Sequence, residues 1–437
     1  FKAPQPAQDW DGILDTTYTT TVCRQATSNT IFETEDCLYI NVFTPQLPGG
    51  DGNVSFPVIF YIHGGGFIFG TSIIFGPDNF INNDVILVSF NYRLGPYGFL
   101  STQDEIIPGN NGLKDQLLAL KWTHNNIKLF GGDPEKITLF GVSAGSASCA
   151  YHLLNHQSKG LFRGAILESG SSLSPWAYQR NARKIAFKTA SFLNSTFETN
   201  NDSTALLEYL QSVDASDLDA AAEKYYDMEN GPENIEISQG FYWAPVLEVK
   251  NSEAFITEKM YGLFQSGNVV VVPIIIGITS EESLLFNPDA NVLKATLQAY
   301  DEHLDWLVPN DMRILNSTNR VEMGRLIREI YTQGEPLSDY LGNGIRYSSD
   351  TSFTRSVIKT AELLSKVSET YFYQFSYDGK MGHFDIHYDG AETVAHAEET
   401  SYLFCAGFGC DFSGYPELDQ IVQKRLITIW TNFAKYL

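Results

Sequence analysis

The feature that most constrains the fold is a series of short apolar segments that alternate with helical patterns. These segments are rich in β-branched and aromatic residues and are apolar at successive positions, which is typical of strands covered on both faces. They span residues 56–62, 85–92, 136–143, 164–169, 269–279 and 370–377. Helical patterns lie between them, for example at 113–127 and 356–368. This alternation predicts an α/β fold with a central, mostly parallel, twisted sheet flanked by helices.

The charge balance of the chain limits the partners it can have. Of its 437 residues, 29 are Lys or Arg and 52 are Asp or Glu, which gives a net charge of −23. A chain this acidic is repelled by phosphate backbones and by anionic lipid surfaces, so we expect no nucleic-acid partner. It also lacks an uninterrupted apolar run long enough to cross a bilayer, so we expect no transmembrane segment.

The domain organisation follows from length and from the absence of linkers. A chain of 437 residues is long enough for one large α/β domain or for two to three smaller ones. The segment 177–268 is more polar and mainly helical in pattern, and no flexible Pro/Gly/Ser-rich linker brackets it. We therefore predict a single domain over residues 1–437, with 177–268 as an insertion or cap region. The abrupt start and end of the chain suggest a domain truncated at both ends.

Cysteines and glycosylation sequons bear on the cellular compartment. The pair Cys23 and Cys37 could close a short loop, as could Cys405 and Cys410, whereas Cys149 lies among small residues and is expected to be a buried thiol. None of the five has the spacing of a zinc site, so no metal is expected. Sequons of the N-x-S/T type occur at Asn53, Asn194, Asn201 and Asn316. Together these features favour a secreted or lumenal protein, with a cytoplasmic one as the alternative.

Ser143 ends the apolar segment 136–143, in the sequence "LFGVSAGSAS". Gly141 and Gly145 flank Ser143 two positions away on either side, at a predicted strand-to-helix junction. This is the setting of the G-x-S-x-G nucleophile elbow, in which small neighbours permit a turn that projects the serine hydroxyl away from the sheet. The alternative is a tight turn that needs small residues only for packing. The junction favours Ser143 as a nucleophile.

A run of three glycines, in "YIHGGGFIFG", directly follows the strand predicted at 56–62. Uncovered backbone N–H groups in such a loop can bind the oxyanion of a tetrahedral intermediate, and losing one donor costs about 3 kcal/mol. Together with the elbow, this loop predicts an oxyanion hole made by the N–H groups of Gly65, Gly66 and Ala144. The alternative is a plain flexible loop.

A serine hydroxyl needs a general base and an acid that orients it. In this architecture the acid and then the histidine follow later strands, in that order along the chain. Glu281 and Glu282 follow the segment 269–279, and His383, His387 and His396 follow the segment 370–377. Position alone selects neither the acid nor the base.

Several motifs make the chain resemble the type-B carboxylesterases, the family that includes the cholinesterases. "EDCLYINVFTP" is similar to the family signature E-D-C-L-Y-L-N-V, and "NYRLGPYGFLST", "GNNGLKDQLLALKW" and "FGGDPEKITLFGVSAG" are equally close to family sequences. The likeness extends over essentially the whole chain in the same order. It is strongest to insect carboxylesterases, and it implies an α/β-hydrolase fold.

The resemblance also assigns residues that position alone leaves open. "VAHAEETSYLF" matches the family's histidine motif and so implies that His396 is the base. "GITSEESLLF" matches the family's D-E-G and implies Glu282 as the acid, although Ser283 replaces the glycine and Glu281 stays open. Ser169 in "LESGS" matches a serine that supports the acid and the histidine.

The activity implied is that of a serine carboxylic-ester hydrolase that works through an acyl-enzyme without a metal or organic cofactor. The resemblance further implies a disulfide between Cys23 and Cys37. Only 13 residues separate these cysteines, none of them tryptophan, and Val142 stands where cholinesterases have a carboxylate. A cation–π site for choline is therefore not expected. Neutral, lipophilic esters of the xenobiotic, odorant, pheromone or hormone type are the expected substrates.

The same family also contains proteins with other functions, which the sequence favours less. Juvenile hormone esterases usually have G-Q-S-A-G and G-x-x-H, whereas this chain has Val142 and Thr393 at those positions, which weakens that assignment. A catalytically inactive adhesion or binding relative would typically lack the serine, which is present here. A lipase would need an exposed apolar lid, and the sequence shows none clearly.

Overall fold

The computed structural model describes residues 1–17, 20–25, 32–49, 54–73, 75–229, 241–382, 384–406 and 410–437. The strands, in chain order, are β1 (Val22–Cys23), β2 (Glu33–Thr34), β3 (Ile40–Phe43), β4 (Phe56–Ile62), β5 (Phe75–Gly76), β6 (Ile86–Phe90), β7 (Gly132–Val142), β8 (Gly164–Glu168), β9 (Ile274–Thr279), β10 (Thr370–Phe375) and β11 (Cys405–Ala406).

In the described part of the chain, seven of these strands form the central sheet in the order β10-β9-β8-β7-β4-β6-β3. All neighbouring pairs are parallel except β3 and β6, which are antiparallel. The prediction of a mostly parallel sheet is therefore confirmed, and all six predicted strands are present. Strand β9 begins later than predicted because Pro273 directly precedes it, and proline has no N–H to donate to the sheet.

The helices, in chain order, are α1 (Asp78–Ile81), α2 (Gly95–Phe99), α3 (Asn111–Asn126), α4 (Ala144–Leu154), α5 (Ala182–Leu193), α6 (Ser203–Ser212), α7 (Ala215–Glu229), α8 (Met260–Ser266), α9 (Ala290–Glu302), α10 (Ser317–Thr332), α11 (Leu341–Ser349), α12 (Arg355–Leu364), α13 (Thr400–Leu403) and α14 (Glu417–Tyr436). Helix α12 ends four residues before the predicted end, where Ser365, Val367 and Ser368 have low helix propensity.

Hydrophobic cores cover both faces of the sheet, and strand β4 shows how. Val58 and Phe60 point into one core, and Ile59 and Tyr61 point into the other, because successive side chains of a strand face opposite ways. All four are almost completely buried. Helix packing on both faces is the physical reason why these strands are apolar at every position rather than at every second one.

The segment 177–268 is helical, with α5, α6, α7 and α8 and without a strand of the central sheet among its described residues. Apolar side chains of these helices, such as Ile185 in α5 and Leu206 in α6, belong to the same core as strand β4. A shared core is what a single domain requires, and the domain boundaries and the cap assignment remain predictions.

A disulfide joins Cys23 to Cys37, as the resemblance implied. The Cα atoms of Cys405 and Cys410 lie 5.5 Å apart, which is a normal bridging distance. Cys149 is completely buried in helix α4. None of the helices described here has both the length and the apolarity needed to cross a bilayer.

Candidate active site

Ser143 lies between the end of strand β7 and the start of helix α4. Its backbone has φ 58° and ψ −121°, a conformation that residues other than glycine rarely adopt. The N–H of Ser143 donates a hydrogen bond to the Glu168 carbonyl oxygen at 2.8 Å, which ties the turn to the neighbouring strand β8. The chain therefore holds this serine on a strained turn at the edge of the sheet where parallel strands end.

The glycines around the serine are required by close backbone contacts. A Cβ atom at Gly145 would lie 2.0 Å from the carbonyl oxygen of Ile62, and one at Gly141 would lie 2.3 Å from the backbone of Gly145. A Cβ at Gly170 would lie 2.2 Å from the carbonyl oxygen of Ser143. Because backbone atoms cannot move aside as a flexible side chain can, these positions accept only glycine, which accounts for the G-x-S-x-G spacing.

The three amides predicted to bind an oxyanion lie at the same edge. Gly65 and Gly66 follow strand β4 with positive φ angles of 103° and 61°, and Ala144 is the first residue of helix α4. Within the described residues, none of these three N–H groups donates a hydrogen bond. Unpaired backbone N–H groups in a glycine loop and at a helix N-terminus can bind a developing negative charge.

His63 holds the glycine loop, and sequence analysis gave it no role. Its ring is buried and stacks on Tyr92 with centroids 4.3 Å apart, and its Nδ1 donates to the Gly64 carbonyl oxygen at 2.8 Å. Burial lowers the pKa of His63 to about 4, so the ring is neutral at pH 7. The only sequence signal for this role of His63 is its position directly before the three glycines.

The two candidate acids have different partners. Glu282 is fully buried, and its Oε2 lies 2.5 Å from Nδ1 of His396, while its Oε1 accepts a hydrogen bond from the Thr279 N–H at 2.9 Å. Glu281 is also buried, but it accepts hydrogen bonds from Ser349 at 2.7 Å and from Arg346 at 3.1 Å. The structure thus brings Glu282, and not Glu281, to the histidine.

Of the three candidate histidines, the structure places only His396 beside a candidate acid in the described part of the chain. The His396 N–H also donates to the Glu282 carbonyl oxygen at 3.3 Å. His387 is exposed and pairs with Asp385, two residues away. His383 lies outside the described residues. The Ser143 hydroxyl makes no hydrogen bond to a described residue, and catalytic hydrogen bonds often tighten only when substrate is bound.

Ser169 directly follows strand β8 and has a positive φ of 54°. Its N–H donates to the Gly277 carbonyl oxygen at 2.9 Å, and its buried hydroxyl has no hydrogen-bond partner among the residues described. A hydrogen bond from this hydroxyl to Glu282 or His396 is therefore absent among the described residues, and the supporting role of Ser169 stays a prediction.

An aromatic wall, which sequence analysis did not identify, surrounds the imidazole and the glycine loop. The ring of Phe353 packs on His396 at 4.5 Å and on Trp176 at 5.6 Å, and Phe286 lies 5.6 Å from the same imidazole. Phe241 continues the wall from Trp176 to Gly66, where a Cβ would lie 3.1 Å from its ring. These side chains form an apolar surface beside His396 and the glycine loop.

Two further carboxyl groups are buried near the candidate acid. Glu168 and Glu399 are both fully inaccessible, and neither is paired with a cation in the described part of the chain. Burial, together with the neighbouring negative charges, raises the pKa of Glu168 well above its usual range and that of Glu399 to about 8. Both shifts favour the protonated form of these two side chains.

A serine on a strand-to-helix elbow, beside bare amides at the carboxyl edge of a mostly parallel sheet, defines the α/β-hydrolase fold. The model of the carboxylesterase family matches residues 1–436, and the chain belongs to that family. Its activity is the hydrolysis of carboxylic esters. The resemblance drawn from the sequence motifs is confirmed.

Similar proteins include insect esterases. Esterase FE4 of Myzus persicae is 34% identical over 452 residues, which cover 100% of this chain and 77% of that protein. Venom carboxylesterase-6 of Apis mellifera is 32% identical, over 99% of this chain and 78% of that protein. Among solved structures, juvenile hormone esterase from Manduca sexta, with OTFP covalently attached, matches with a TM-score of 0.83 at 29% identity, and the match covers 100% of this chain and 82% of that one.

Proposed function

We propose that Ser143, His396 and Glu282 form the catalytic triad of this esterase and that the reaction passes through an acyl-enzyme. The observation that carries the proposal is the 2.5 Å contact between Nδ1 of His396 and the buried carboxylate of Glu282. Glu282 follows strand β9 and Ser143 follows strand β7, and both strands belong to the central sheet. This contact leaves Nε2 of the imidazole as the nitrogen that accepts a proton.

In the acylation step, His396 Nε2 takes the proton of the Ser143 hydroxyl while the serine oxygen attacks the ester carbonyl carbon. The carbonyl oxygen becomes an oxyanion held by the N–H groups of Gly65, Gly66 and Ala144. The imidazolium then gives its proton to the leaving alkoxide, and the C–O bond of the ester breaks. An alcohol leaves, and the acyl group stays on the serine.

In deacylation, a water molecule takes the place of the alcohol. His396 removes a proton from that water as its oxygen attacks the acyl carbon, and then returns the proton to the serine oxygen as the carboxylic acid leaves. Glu282 keeps Nδ1 protonated and stabilises the imidazolium. Because Glu282 is inaccessible to water, its negative charge acts on the ring through a medium of low dielectric constant, where the interaction is strong.

We infer that the substrates are neutral, lipophilic esters. Two features support this inference. The aromatic wall, which runs from Trp176 through Phe353 to Phe286, is apolar, and the residue before the nucleophile is the buried and uncharged Val142. Burying a charged group against such a wall without a partner would be costly, whereas burying apolar surface is favourable by about 25 cal/mol per Å². A panel of acetate to decanoate esters, together with choline esters and juvenile-hormone-like esters, tests this substrate class.

The triad is tested by substitution and by covalent labelling. Ser143→Ala should abolish hydrolysis of a short-chain nitrophenyl ester while the protein keeps its thermal unfolding midpoint, and an organophosphate should label Ser143 with a stoichiometry of one. Labelling at another residue, or activity retained in Ser143→Ala, would refute the assignment. Absence of hydrolysis in the unmodified protein would instead indicate a catalytically inactive relative.

The choice of acid is tested by a matched pair of substitutions. Glu282→Gln should lower kcat by about 10⁴, since an amide no longer holds the imidazole in the correct tautomer. Glu281→Gln removes the carboxylate that accepts from Arg346. It should lower the free energy of unfolding and leave kcat nearly unchanged. The reverse pattern would transfer the role of acid to Glu281.

We further propose that the protein is secreted or lumenal. The disulfide between Cys23 and Cys37 supports this, because such bonds persist in oxidising compartments, and a similar protein carries the word venom in its name. Mass spectrometry of the protein from its native source should detect N-glycans at Asn194, Asn201 or Asn316. Unmodified asparagines together with reduced cysteines would favour the cytoplasm.

A further inference from the structure

The glycine loop, residues 64–70, is held by a side chain that the mechanism above does not use. Gln25 follows strand β1 and is buried, and its amide forms two hydrogen bonds with the backbone of Gly70. Its Oε1 accepts from the Gly70 N–H at 3.0 Å, and its Nε2 donates to the Gly70 carbonyl oxygen at 3.1 Å. Nε2 also donates to the Cys23 carbonyl oxygen at 3.0 Å. The amide therefore connects the end of the glycine loop to the segment that contains the disulfide.

Gly70 belongs to a part of the loop that packs directly on an oxyanion donor. A Cβ atom at Gly70 would lie 2.7 Å from the Gly64 carbonyl oxygen, and one at Gly65 would lie 1.9 Å from the Phe69 carbonyl oxygen. The Gly65 carbonyl oxygen in turn accepts from the Phe69 N–H at 3.0 Å. Because the peptide group between Phe69 and Gly70 packs on Gly65 without free space, a displacement of that peptide also moves the N–H group of Gly65.

Few side chains fix the position of this loop. Among the described residues, only His63 and Gln25 form side-chain hydrogen bonds to the backbone of residues 64–70. His63 bonds to Gly64 at the start of the loop, and Gln25 bonds to Gly70 at its end. Four of the seven residues are glycines, which have more conformational freedom than any other residue. The loop therefore depends on hydrogen bonds from outside for a fixed geometry.

The residues directly before Gln25 are themselves held in place. Cys23 is buried and forms the disulfide with Cys37. Arg24 donates from Nε to the carboxylate of Asp219, in helix α7, at 2.9 Å. With a covalent bond and an ion pair on its two preceding residues, Gln25 has little freedom to move away from the glycine loop.

We propose that Gln25 is a positioning residue for ester hydrolysis, which holds the glycine loop in place through Gly70 and has the adjacent disulfide as its anchor. This inference rests on the proposed function, because it requires the oxyanion hole assigned above. Displaced N–H groups stabilise the oxyanion of the transition state less well and have little effect on the uncharged substrate. The loss of Gln25 should therefore appear in kcat and not in KM.

Gln25→Met tests the proposal, because methionine has nearly the same length and forms neither hydrogen bond. With a short-chain nitrophenyl ester, kcat should fall at least tenfold and KM should change less than twofold. Gln25→Asn, one methylene shorter, keeps the amide but cannot reach both atoms of Gly70, and it is a milder variant that should change kcat in the same direction. Both are measured well below their unfolding midpoints, so that loss of folded protein does not contribute.

A matched control removes a neighbouring hydrogen bond that does not reach the loop. The Asn41 side chain donates to the Ser72 hydroxyl at 3.0 Å, two residues beyond the end of the glycine loop. Asn41→Leu keeps the size of this side chain and should leave kcat within twofold of that of the unmodified protein. An equal fall of kcat in Asn41→Leu and Gln25→Met would overturn the proposal, since the effect would then come from looser packing in general.

A trifluoromethyl ketone reports on the oxyanion hole directly. The Ser143 oxygen adds to its carbonyl carbon, the serine proton passes to His396, and the ketone oxygen becomes an anion at the position of the oxyanion. Its inhibition constant should rise at least tenfold in Gln25→Met. The corresponding methyl ketone stays a ketone and should bind equally well to both proteins.

The disulfide is tested by the double variant Cys23→Ser/Cys37→Ser, which should lower kcat with an unchanged KM, as Gln25→Met does. An unchanged kcat in this double variant would overturn the part of the proposal that makes the disulfide an anchor.

The remaining outcomes separate this inference from the proposed function. If the unmodified protein hydrolyses the ester and an organophosphate labels Ser143, unchanged kcat and unchanged trifluoromethyl ketone inhibition in Gln25→Met would overturn the role of Gln25 alone. An unmodified protein that hydrolyses no ester and is not labelled at Ser143 would overturn the proposed function, and this inference with it.

Discussion

The buried carboxyl group of Glu399 gives a prediction about stability that can be worked out from its surroundings. The side chain is completely inaccessible to water, and its Oε1 accepts a hydrogen bond from the Tyr373 hydroxyl at 3.1 Å. Burial, and next the negative charge of Glu282, raise the pKa of Glu399 from its ordinary value of 4.5 to about 8. Folding therefore makes this group hold its proton more tightly.

The direction of the effect on stability follows from proton binding. Between about pH 4.5 and 8, folded Glu399 keeps its proton and the unfolded chain loses it, so the folded state binds one proton more. The stabilisation is complete below the unfolded pKa and is lost as pH rises through the folded one, at about 1.4 kcal/mol per pH unit. Over the whole interval the loss from this one group amounts to about 5 kcal/mol.

Glu399→Gln isolates this contribution, because glutamine keeps the oxygen that accepts from Tyr373 and does not ionise. Urea unfolding, followed by tryptophan fluorescence at several pH values, gives the free energy of unfolding for both proteins. Between about pH 5.5 and 7.5 the slope of that free energy against pH should be less negative in the variant by about 1.4 kcal/mol per unit.

A control separates burial from charge removal as such. Glu392→Gln changes an exposed carboxyl only a few residues away, and its slope should equal that of the unmodified protein. Parallel slopes for Glu399→Gln and the unmodified protein would show that Glu399 is ionised in the folded state, and the argument from burial would then be wrong.

Three further predictions follow from the fold and the site. His396→Ala should lower kcat by a factor of about 10³ or more, whereas His387→Ala, at an exposed position, should retain most activity in the same nitrophenyl ester assay. Gly145→Ala should destabilise the protein by about 2 kcal/mol or more, because the new Cβ would lie 2.0 Å from a carbonyl oxygen; an unchanged urea midpoint would contradict the close contact. Replacing Cys23 and Cys37 by serine should cost about 3 kcal/mol of unfolding free energy, since the bond closes a short loop; a cost near zero would show that the unfolded chain gains little freedom there.

The central strands were predictable from the sequence because burial on both faces requires apolar residues at successive positions of each segment. Other parts of the sheet carry a weaker signal. Strand β3 is four residues long and only half-buried, so "INVF" does not stand out from its surroundings. The start of strand β7 contains Gly132 and Pro134, and its pairing with β4 passes from Phe56–Gly132 to Val58–Ile137, an irregularity that no local pattern indicates.

In the candidate site, too, some residues have a clear signal in the sequence and others have none. Ser143 and the glycine loop have a signal in the sequence because backbone contacts require small residues at fixed spacing. Position in the sequence gives no signal for the choice between Glu281 and Glu282, since the two residues are adjacent and both are buried. The conformation of the turn after strand β9 determines which of them contacts His396. The aromatic wall joins Trp176 to Phe353 across distant segments, and in a chain with 13% aromatic residues nothing local distinguishes them from core residues.

The order of the strands has a consequence for biosynthesis. About 250 residues separate Ser143 from His396, and the contact between Glu282 and His396 itself joins positions 114 residues apart. At a synthesis rate of about 5–20 residues per second, His396 leaves the ribosome roughly 10–50 s after Ser143. If the proposed triad is right, the nascent chain lacks its proton acceptor during that interval, and we expect a partly made polypeptide not to hydrolyse esters in the cell that produces it.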